Sequence, residues 1–210
     1  DKAYIVTFFR IDPLWVVDLS DPSNPTISGE LEVPGWSTYI QPLGDRLLSI
    51  GIDNEEGFRV AVSLFDVRDP AKPGLLSRVS LGTNNSWSEA NRDEKALGFV
   101  PEAGLVMVPF SSYDQANNRT GVQLVELVED ELVLRGVIEH DVTPRRATLH
   151  GDRILSLSGK SLLTVNAADY DQPEIVSDFP LSWAVDRVFV EGEFLIQVTQ
   201  GNPWSDEAPA

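Results

Sequence analysis

Short apolar runs of about five to eight residues, bounded by Gly, Pro, Asp or Asn, recur along the whole chain. Helical periodicity is almost absent from the sequence. Runs of this length with such boundaries are typical of β-strands joined by turns. The pattern predicts strands near residues 3–8, 14–19, 26–33, 37–41, 46–52, 60–67, 75–81, 95–100, 104–110, 121–128, 131–138, 145–150, 153–158, 161–166, 174–179, 184–190 and 193–199. The predicted fold class is therefore all-β.

One phrase of the sequence occurs twice, 48 residues apart. It covers residues 17–25 and 65–73 and consists of an apolar run followed by Asp-Pro-x-x-Pro and a second apolar run. Proline fixes φ and suits a turn between antiparallel strands. A less perfect copy at 165–173 ends at Pro173, 100 residues after Pro73 (173 − 73). A strand–turn–strand unit that repeats about every 50 residues favours a β-propeller.

The strands group in fours, which predicts four-stranded antiparallel blades in one domain over residues 1–200, with 201–210 as a tail. The expected units are a partial blade 3–33, blades 37–81, 95–138 and 145–179, and a partial blade 184–199. Together they amount to about four blades. A closed four-bladed ring would leave the 193–199 strand redundant. We therefore expect an arc of a larger ring, completed by a missing propeller segment or by a second copy of the chain.

Composition narrows the range of partners. The 33 acidic residues against 16 basic ones give a formal charge of −17, which would repel phosphate backbones and anionic membranes, so no nucleic acid partner is expected. The chain has no cysteine, which excludes disulfides, thiolate metal sites and a cysteine nucleophile. No apolar stretch reaches 18 residues, so direct membrane insertion through a helix is not expected either. The chain starts without Met inside a strand-like run, and we expect it to be processed, excised or incompletely covered.

Several blocks of sequence are shared with a known family. The blocks are residues 3–8, 11–14, 17–25, 34–39, 63–67, 69–70, 88–90, 95–96, 145–146 and 151–152. Over roughly residues 3–167 the chain resembles secreted bacterial and archaeal proteins that carry a C-terminal β-propeller domain of unassigned function. The resemblance implies a propeller in a longer, exported protein with a secreted, periplasmic or cell-surface location. It carries over no catalytic residue.

Tryptophans occur where three of the predicted units begin. Trp36, Trp87 and Trp183 are separated by 51 (87 − 36) and 96 (183 − 87) residues, in step with the blades. Aromatic side chains on the loop face of a propeller suit sugars, cations or peptide side chains. Large aromatic rings also fill the widening gap between radially stacked blades. Ligand contact and packing are both open for these residues.

The unit that lacks a leading tryptophan has Arg145 and Arg146 in its place. Together with His150 they suggest an anion site, since guanidinium groups bind carboxylates in a bidentate manner. The same arginines suit ion pairs that bridge acidic loops of adjacent blades, and we favour bridging.

Acidic loops between predicted second and third strands are the candidate metal ligands. Asp53, Glu55 and Asp114 offer carboxylate oxygens, which Ca²⁺ prefers. Neither loop has EF-hand spacing, and solvated acidic loops are the simpler interpretation. We expect no other cofactor.

No catalytic signature is present: Gly-x-Ser-x-Gly, a triad cluster and a phosphate-binding Gly-rich loop are all missing. The sequence therefore favours a non-catalytic binding or scaffolding module that presents its loop face to a protein, peptide or glycan. One alternative is a hydrolase- or lyase-type enzyme with a site over the central channel. Another is a secreted protein that binds calcium or another metal.

Overall fold

The computed structural model describes residues 1–6, 11–83, 85–113, 118–182, 185 and 187–198. The β-strands are β1 (Lys2–Ile5), β2 (Ile11–Asp18), β3 (Thr26–Pro34), β4 (Trp36–Leu43), β5 (Arg46–Asp53), β6 (Arg59–Asp66), β7 (Gly74–Leu81), β8 (Asn85–Trp87), β9 (Gly98–Val100), β10 (Leu105–Tyr113), β11 (Arg119–Val128), β12 (Glu131–Glu139), β13 (Pro144–His150), β14 (Arg153–Ser158), β15 (Ser161–Asn166), β16 (Glu174–Pro180), β17 (Arg187–Glu191) and β18 (Phe194–Val198). Short 3₁₀ turns are the only helical elements among these residues. The all-β prediction is confirmed.

The strands form successive antiparallel sheets in chain order. Sheet A contains β1–β3, sheet B β4–β7, sheet C β8–β12 and sheet D β13–β16, while β17 and β18 form a separate hairpin. Sheets B and D have four strands each, as the grouping of the apolar runs predicts. The described residues make an arc of sheets and not a closed ring, which agrees with the expectation of a partial propeller. Within them, no helix is long and apolar enough to cross a membrane.

The predicted first strand of sheet C, over residues 95–100, is wrong in detail. Its place beside β10 is divided between β8 and β9, and two 3₁₀ turns, 89–91 and 94–96, lie between them. The side chains of Ser88 and Asp93 accept hydrogen bonds from the backbone N–H groups of Ala90 and Lys95. Such local side-chain bonds compete with strand pairing and start the helical turns.

Buried apolar side chains cluster between neighbouring sheets. Sheets A and B share Leu14, Val16, Val33, Leu47, Phe65 and Val67. Sheets B and C, with the 85–96 segment, share Leu48, Ile50, Val60, Val62, Leu64, Leu81, Ala90, Ala96, Val106, Val108, Val125 and Leu132. Sheets C and D share Leu105, Met107, Val122, Leu124, Ile138, Ala147, Ile154, Leu163 and Val165. Each sheet is therefore held by face-to-face apolar contact with the next.

The repeated phrase forms the same turn wherever it occurs. In each copy an aspartate carboxylate accepts a hydrogen bond from the backbone N–H two residues later, which closes an Asx turn. The bonds run from Ser23 N to Asp21 Oδ1 (3.0 Å), from Ala71 N to Asp69 Oδ1 (3.0 Å) and from Asp171 N to Asp169 Oδ1 (2.9 Å). The turn joins the last two strands of sheets A, B and D. In sheet C the two-residue turn Glu129-Asp130 replaces it, with Glu129 at φ 55°.

The turns of sheets B and D, and the start of β12 after the turn of sheet C, pack against the last strand of the preceding sheet, at a residue that we call the seat. The seats are Gly29, where an added Cβ would lie 2.1 Å from the Pro70 carbonyl oxygen; Ser77, whose Oγ accepts from Leu132 N at 3.0 Å; and Gly136, where a Cβ would lie 2.4 Å from Pro173 Cδ. Only a small residue allows such a close approach. The seats thus set the spacing between successive sheets.

Candidate functional site on the upper face

The upper face of the arc is the end at which first strands begin and second strands turn into third strands. On it, the turn after β5 meets β8, the first strand of sheet C. Ser86 N donates to the Phe58 carbonyl oxygen at 2.9 Å, and Ser86 Oγ both accepts from Val60 N and donates to the Leu81 carbonyl oxygen. These bonds fix the backbone immediately before Trp87.

Trp87 is half-buried at the end of β8, and the Arg92 guanidinium lies 5.8 Å from the centre of its ring. This distance is typical of a cation–π contact. The next residue, Ser88, is fully buried and donates from Oγ to the Pro109 carbonyl oxygen. Trp87 is therefore held by the Arg92 guanidinium over its ring and by the hydrogen bond of the next residue, Ser88.

Trp36 is also half-buried, at the start of β4. Its ring packs at a tilt against Phe58, with 6.2 Å between the ring centres, and Phe58 is 51% exposed. The two rings form a partly exposed aromatic pair on the upper face. Trp183, the third tryptophan of the predicted series, lies outside the described residues.

The two adjacent arginines differ in their surroundings. Arg146 is paired with Asp93 of the segment between β8 and β9, with 3.7 Å between Nη2 and Oδ2. This ion pair bridges sheet D to the preceding unit. Arg145 is exposed, and its guanidinium makes no hydrogen bond or ion pair with any residue that the structure describes.

Two adjoining surface cavities meet at Arg145 and Thr143, and together we call them the upper groove. The larger, of about 680 Å³, is lined by Asp141, Val142, Thr143, Arg145, Gly159, Lys160 and Ser182. The smaller, of about 390 Å³, is lined by Trp87, Glu89, Thr143, Pro144 and Arg145. The groove therefore runs from the aromatic ring of Trp87 past Arg145 to the turn between β14 and β15.

Hydrogen bonds and an ion pair hold several of the residues that line the upper groove in place. Thr143 Oγ1 lies 3.0 Å from Oγ of the buried Ser111. At the far end, Ser182 Oγ donates to the Gly159 carbonyl oxygen at 2.6 Å, and Lys160 forms an ion pair with Asp141. The hydrogen bond from Lys160 holds the pKa of Asp141 below its usual range. A preformed groove of this kind suits ligand binding.

The charged side chains that line the groove are balanced, with Arg145 and Lys160 against Asp141 and Glu89. Arg92, Arg145, Arg146 and Lys160 account for four of the 16 basic residues, and three of them already face Trp87, Asp93 or Asp141. The Arg145 guanidinium has no such partner among the described residues. A carboxylate or phosphate oxygen is its natural partner.

His150 does not join this site. It is exposed at the last residue of β13, whereas Arg145 is the second residue of that strand. Five residues of extended chain separate the two positions by about 16 Å. The structure therefore does not bring together the anion site of Arg145, Arg146 and His150 considered from the sequence.

The candidate metal ligand Asp53 is buried and already has several partners. Its Oδ1 accepts from Glu55 N at 3.0 Å, and its Oδ2 accepts from Ser80 Oγ at 2.6 Å and from Arg59 Nη2 at 3.2 Å. Burial raises the pKa of Asp53, but these hydrogen bonds outweigh it and the pKa is lowered overall. Asp114 lies outside the described residues, within which no group of three potential metal ligands is found. Calcium binding stays a prediction.

Sequence reasoning missed several residues of the upper groove. Thr143, Lys160 and Ser182 come from three separate connections, and only the packing of sheet D against sheet C brings them near Trp87. The sequence places two of them on this face: Thr143, just before a predicted first strand, and Lys160, between the second and third strands of a predicted blade.

Comparison with known proteins supports the architecture. A protein of Methanocaldococcus jannaschii, itself uncharacterised, is 45% identical to this chain over 132 residues, which cover 62% of this chain and 20% of the relative. An uncharacterised protein of Archaeoglobus fulgidus is 34% identical over 134 residues, covering 63% of this chain and 21% of the relative. The aligned part thus spans about a fifth of the length of each relative.

A sequence model described as the beta propeller domain matches residues 1–169. The match includes sheets A, B and C and the first three strands of sheet D. It covers most of the 210 residues and agrees with the succession of antiparallel sheets. The chain belongs to the β-propeller domain family.

Proposed function

We propose that the chain is a non-catalytic binding module, which takes a protein, peptide or glycan ligand into the upper groove through an anionic group of that ligand. The observation that carries the proposal is Arg145, an exposed guanidinium without a described partner at the junction of two cavities. In a chain of net charge −17, an arginine left unpaired in a groove is a specific feature.

The surroundings of Arg145 fit such a ligand. Trp87 offers a half-buried aromatic surface at one end of the groove, suited to an apolar side chain or a sugar ring. Lys160 and Thr143 provide polar groups further along the groove. Loops held on a rigid scaffold are common places for ligand contacts.

The experiment is a binding screen on arrays of acidic and neutral peptides and of acidic and neutral glycans. We expect binders among the members that carry a carboxylate, phosphate or sulfate. Replacing Arg145 by Ala should weaken their binding about tenfold or more, since a charge-assisted pair contributes about 1.5–3 kcal/mol.

Arg153→Ala is the matched control. Arg153 begins β14 beside the end of β13, on the opposite face, and its guanidinium pairs with Asp152 and Asn166. This variant should bind as the wild-type chain does. The proposal is wrong if no array member binds with a Kd below about 1 mM, or if Arg145→Ala leaves every affinity unchanged.

A further inference from the structure

The hairpin of β17 and β18 has the composition of buried strands but is exposed along its whole length. Seven large apolar side chains on it are 43–73% exposed: Val188, Phe189, Val190, Phe194, Leu195, Ile196 and Val198. In sheet B, residues 47–51 of β5 are all buried. Because successive side chains point to opposite faces of a strand, both faces of the hairpin lack a covering layer.

The two strands occupy the first and second places of a blade. Their turn contains Gly192 at φ 61°, matching Gly44 at 62° and Gly151 at 59°, which join the first and second strands of sheets B and D. Among the described residues, β18 pairs only with β17. Its other edge therefore presents free backbone N–H and C=O groups where a third strand belongs.

The last strand of sheet D has a seat that no described turn covers. Ser77 pairs with Leu64 in sheet B, and Ser177 pairs with Thr164 at the same place in sheet D. Gly29 and Gly136 each contact the turn of the next sheet, and Ser77 contacts Leu132 directly after such a turn. Ser177, by contrast, is exposed, as is every other residue of β16.

We propose that sheet D and the hairpin bind two further antiparallel strands, the third and fourth of a blade, with the turn between them placed on Ser177. The occupant is a β-propeller segment that is not among these 210 residues. Its third strand pairs with β18, and a backbone N–H at the start of its fourth strand donates to Ser177 Oγ, as Leu132 N at the start of β12 donates to Ser77 Oγ. The contact continues the stacking already present between sheets A, B, C and D.

A second copy of the chain does not fit this place. In sheet A the repeated turn lies between β2 and β3, so its three strands are the second, third and fourth of a blade. Adding them to the hairpin would place five strands (2 + 3) in a four-stranded blade. Displacing β18 to make room would break its pairing with β17, which extends from Phe194 to Val198.

Thiol labelling tests the proposal, because the chain has no cysteine of its own. Ser177→Cys reports on the free seat, and Ser77→Cys is the control at a covered seat. In an extended protein, residues 119–139, the third and fourth strands of sheet C with their turn, follow Val198 directly, because this is the turn that fits a serine seat. A second extended protein carries the same 21 residues (139 − 119 + 1) in scrambled order.

We expect Ser177→Cys to label at least about tenfold faster than Ser77→Cys in the 210-residue chain at low concentration. The native extension should slow the labelling of Ser177→Cys towards that of Ser77→Cys and reduce the fluorescence of the dye ANS, while the scrambled one should do neither.

Three results would overturn the proposal. The first is an equal labelling rate at position 177 with and without the native extension, or equal slowing by the scrambled one. The second is slow labelling in the 210-residue chain that becomes fast on dilution, which would identify a second copy as the occupant. The third is slow labelling at every concentration, which would mean that the chain covers its own seat.

Discussion

At the scale of single residues, the size of the seat residues limits how closely successive sheets can approach each other. Gly136 N donates to the Tyr170 carbonyl oxygen at 2.7 Å, and an added Cβ would lie 2.6 Å from the Asp171 carbonyl oxygen. Its φ is not in the left-handed region, so close approach, and not backbone conformation, is what requires glycine here. The same holds at Gly29 against the turn of sheet B.

Gly136→Ala should therefore destabilise the protein by about 2 kcal/mol, as other overpacking substitutions do. The reason is that the turn of sheet D must move away from β12. Urea unfolding followed by tryptophan fluorescence measures the change. Gly74→Ala is the control, because a Cβ there meets no atom within 4 Å. Equal stability of the two variants would contradict the role given to the seat.

Asp66 links stability to pH at the end of β6. Hydrogen bonds from the side chain and then the backbone of Arg68 lower the pKa of Asp66 to about 2, from 3.8. A lowered pKa in the folded state stabilises the protein above pH 3.8, and this contribution is lost as the pH falls towards 2. The difference in Tm between the wild type and Asp66→Asn should therefore shrink from pH 5 to pH 2. A difference that stays constant over this range would show that the Arg68–Asp66 interaction does not act in this way.

At the scale of elements, the segment before β9 shows how local bonds override a strand pattern. The apolar residues of 95–100 predict one strand, but Ser88 and Asp93 start two 3₁₀ turns instead. The turns bury Ala90 and Ala96 between sheets B and C. They also hold Trp87 and Asp93 towards sheet D, where they contribute to the upper groove and to the ion pair with Arg146.

Ser88→Ala removes the hydroxyl that donates to the Pro109 carbonyl oxygen and accepts from Ala90 N. Because these groups are buried, we expect a loss of about 2 kcal/mol in the free energy of unfolding. Weaker binding of array-selected ligands should accompany it, since Trp87 loses its anchor. Ser23→Ala, an exposed serine in the turn of sheet A, is the control in the same unfolding and binding measurements. Wild-type stability of Ser88→Ala would refute the anchoring role.

Most strands could be predicted from apolar runs, because turns with Gly, Pro and Asp mark their ends. The bounds 153–158 and 161–166 are the same in pattern and structure. The site was less predictable. Trp87 and Arg145 stand out through their place in the repeat, whereas Thr143 and Ser182 look like ordinary loop residues. Arg145 and His150 stand at opposite ends of the predicted strand 145–150, and β13 has them there in the structure.

At the scale of the whole molecule, the arc is a stack in which each sheet depends on its neighbours. Sheets B and C have apolar clusters on both sides, sheets A and D each contribute to one, and the hairpin contributes to none of the three clusters. Stability in such stacks is close to a sum over neighbouring contacts. Local opening should therefore be easiest at the ends of the arc.

Hydrogen exchange measured by mass spectrometry should follow this order. The strands 46–53, 59–66, 105–113 and 119–128 should exchange slowest, and residues 187–198 fastest, because exposed backbone with few buried contacts opens most readily. Protection of the hairpin equal to that of sheet B, at a concentration where the chain is monomeric, would contradict this view of the stack.

The crystal structure of the chain with a ligand selected on the arrays tests the central claim most directly. The claim is that the upper groove is the functional site of this β-propeller domain. We predict the ligand between Trp87 and Ser182, with its anionic group bound to the Arg145 guanidinium at about 2.7–2.9 Å. A ligand bound at the opposite face, beside His150 and Arg153, would contradict the claim.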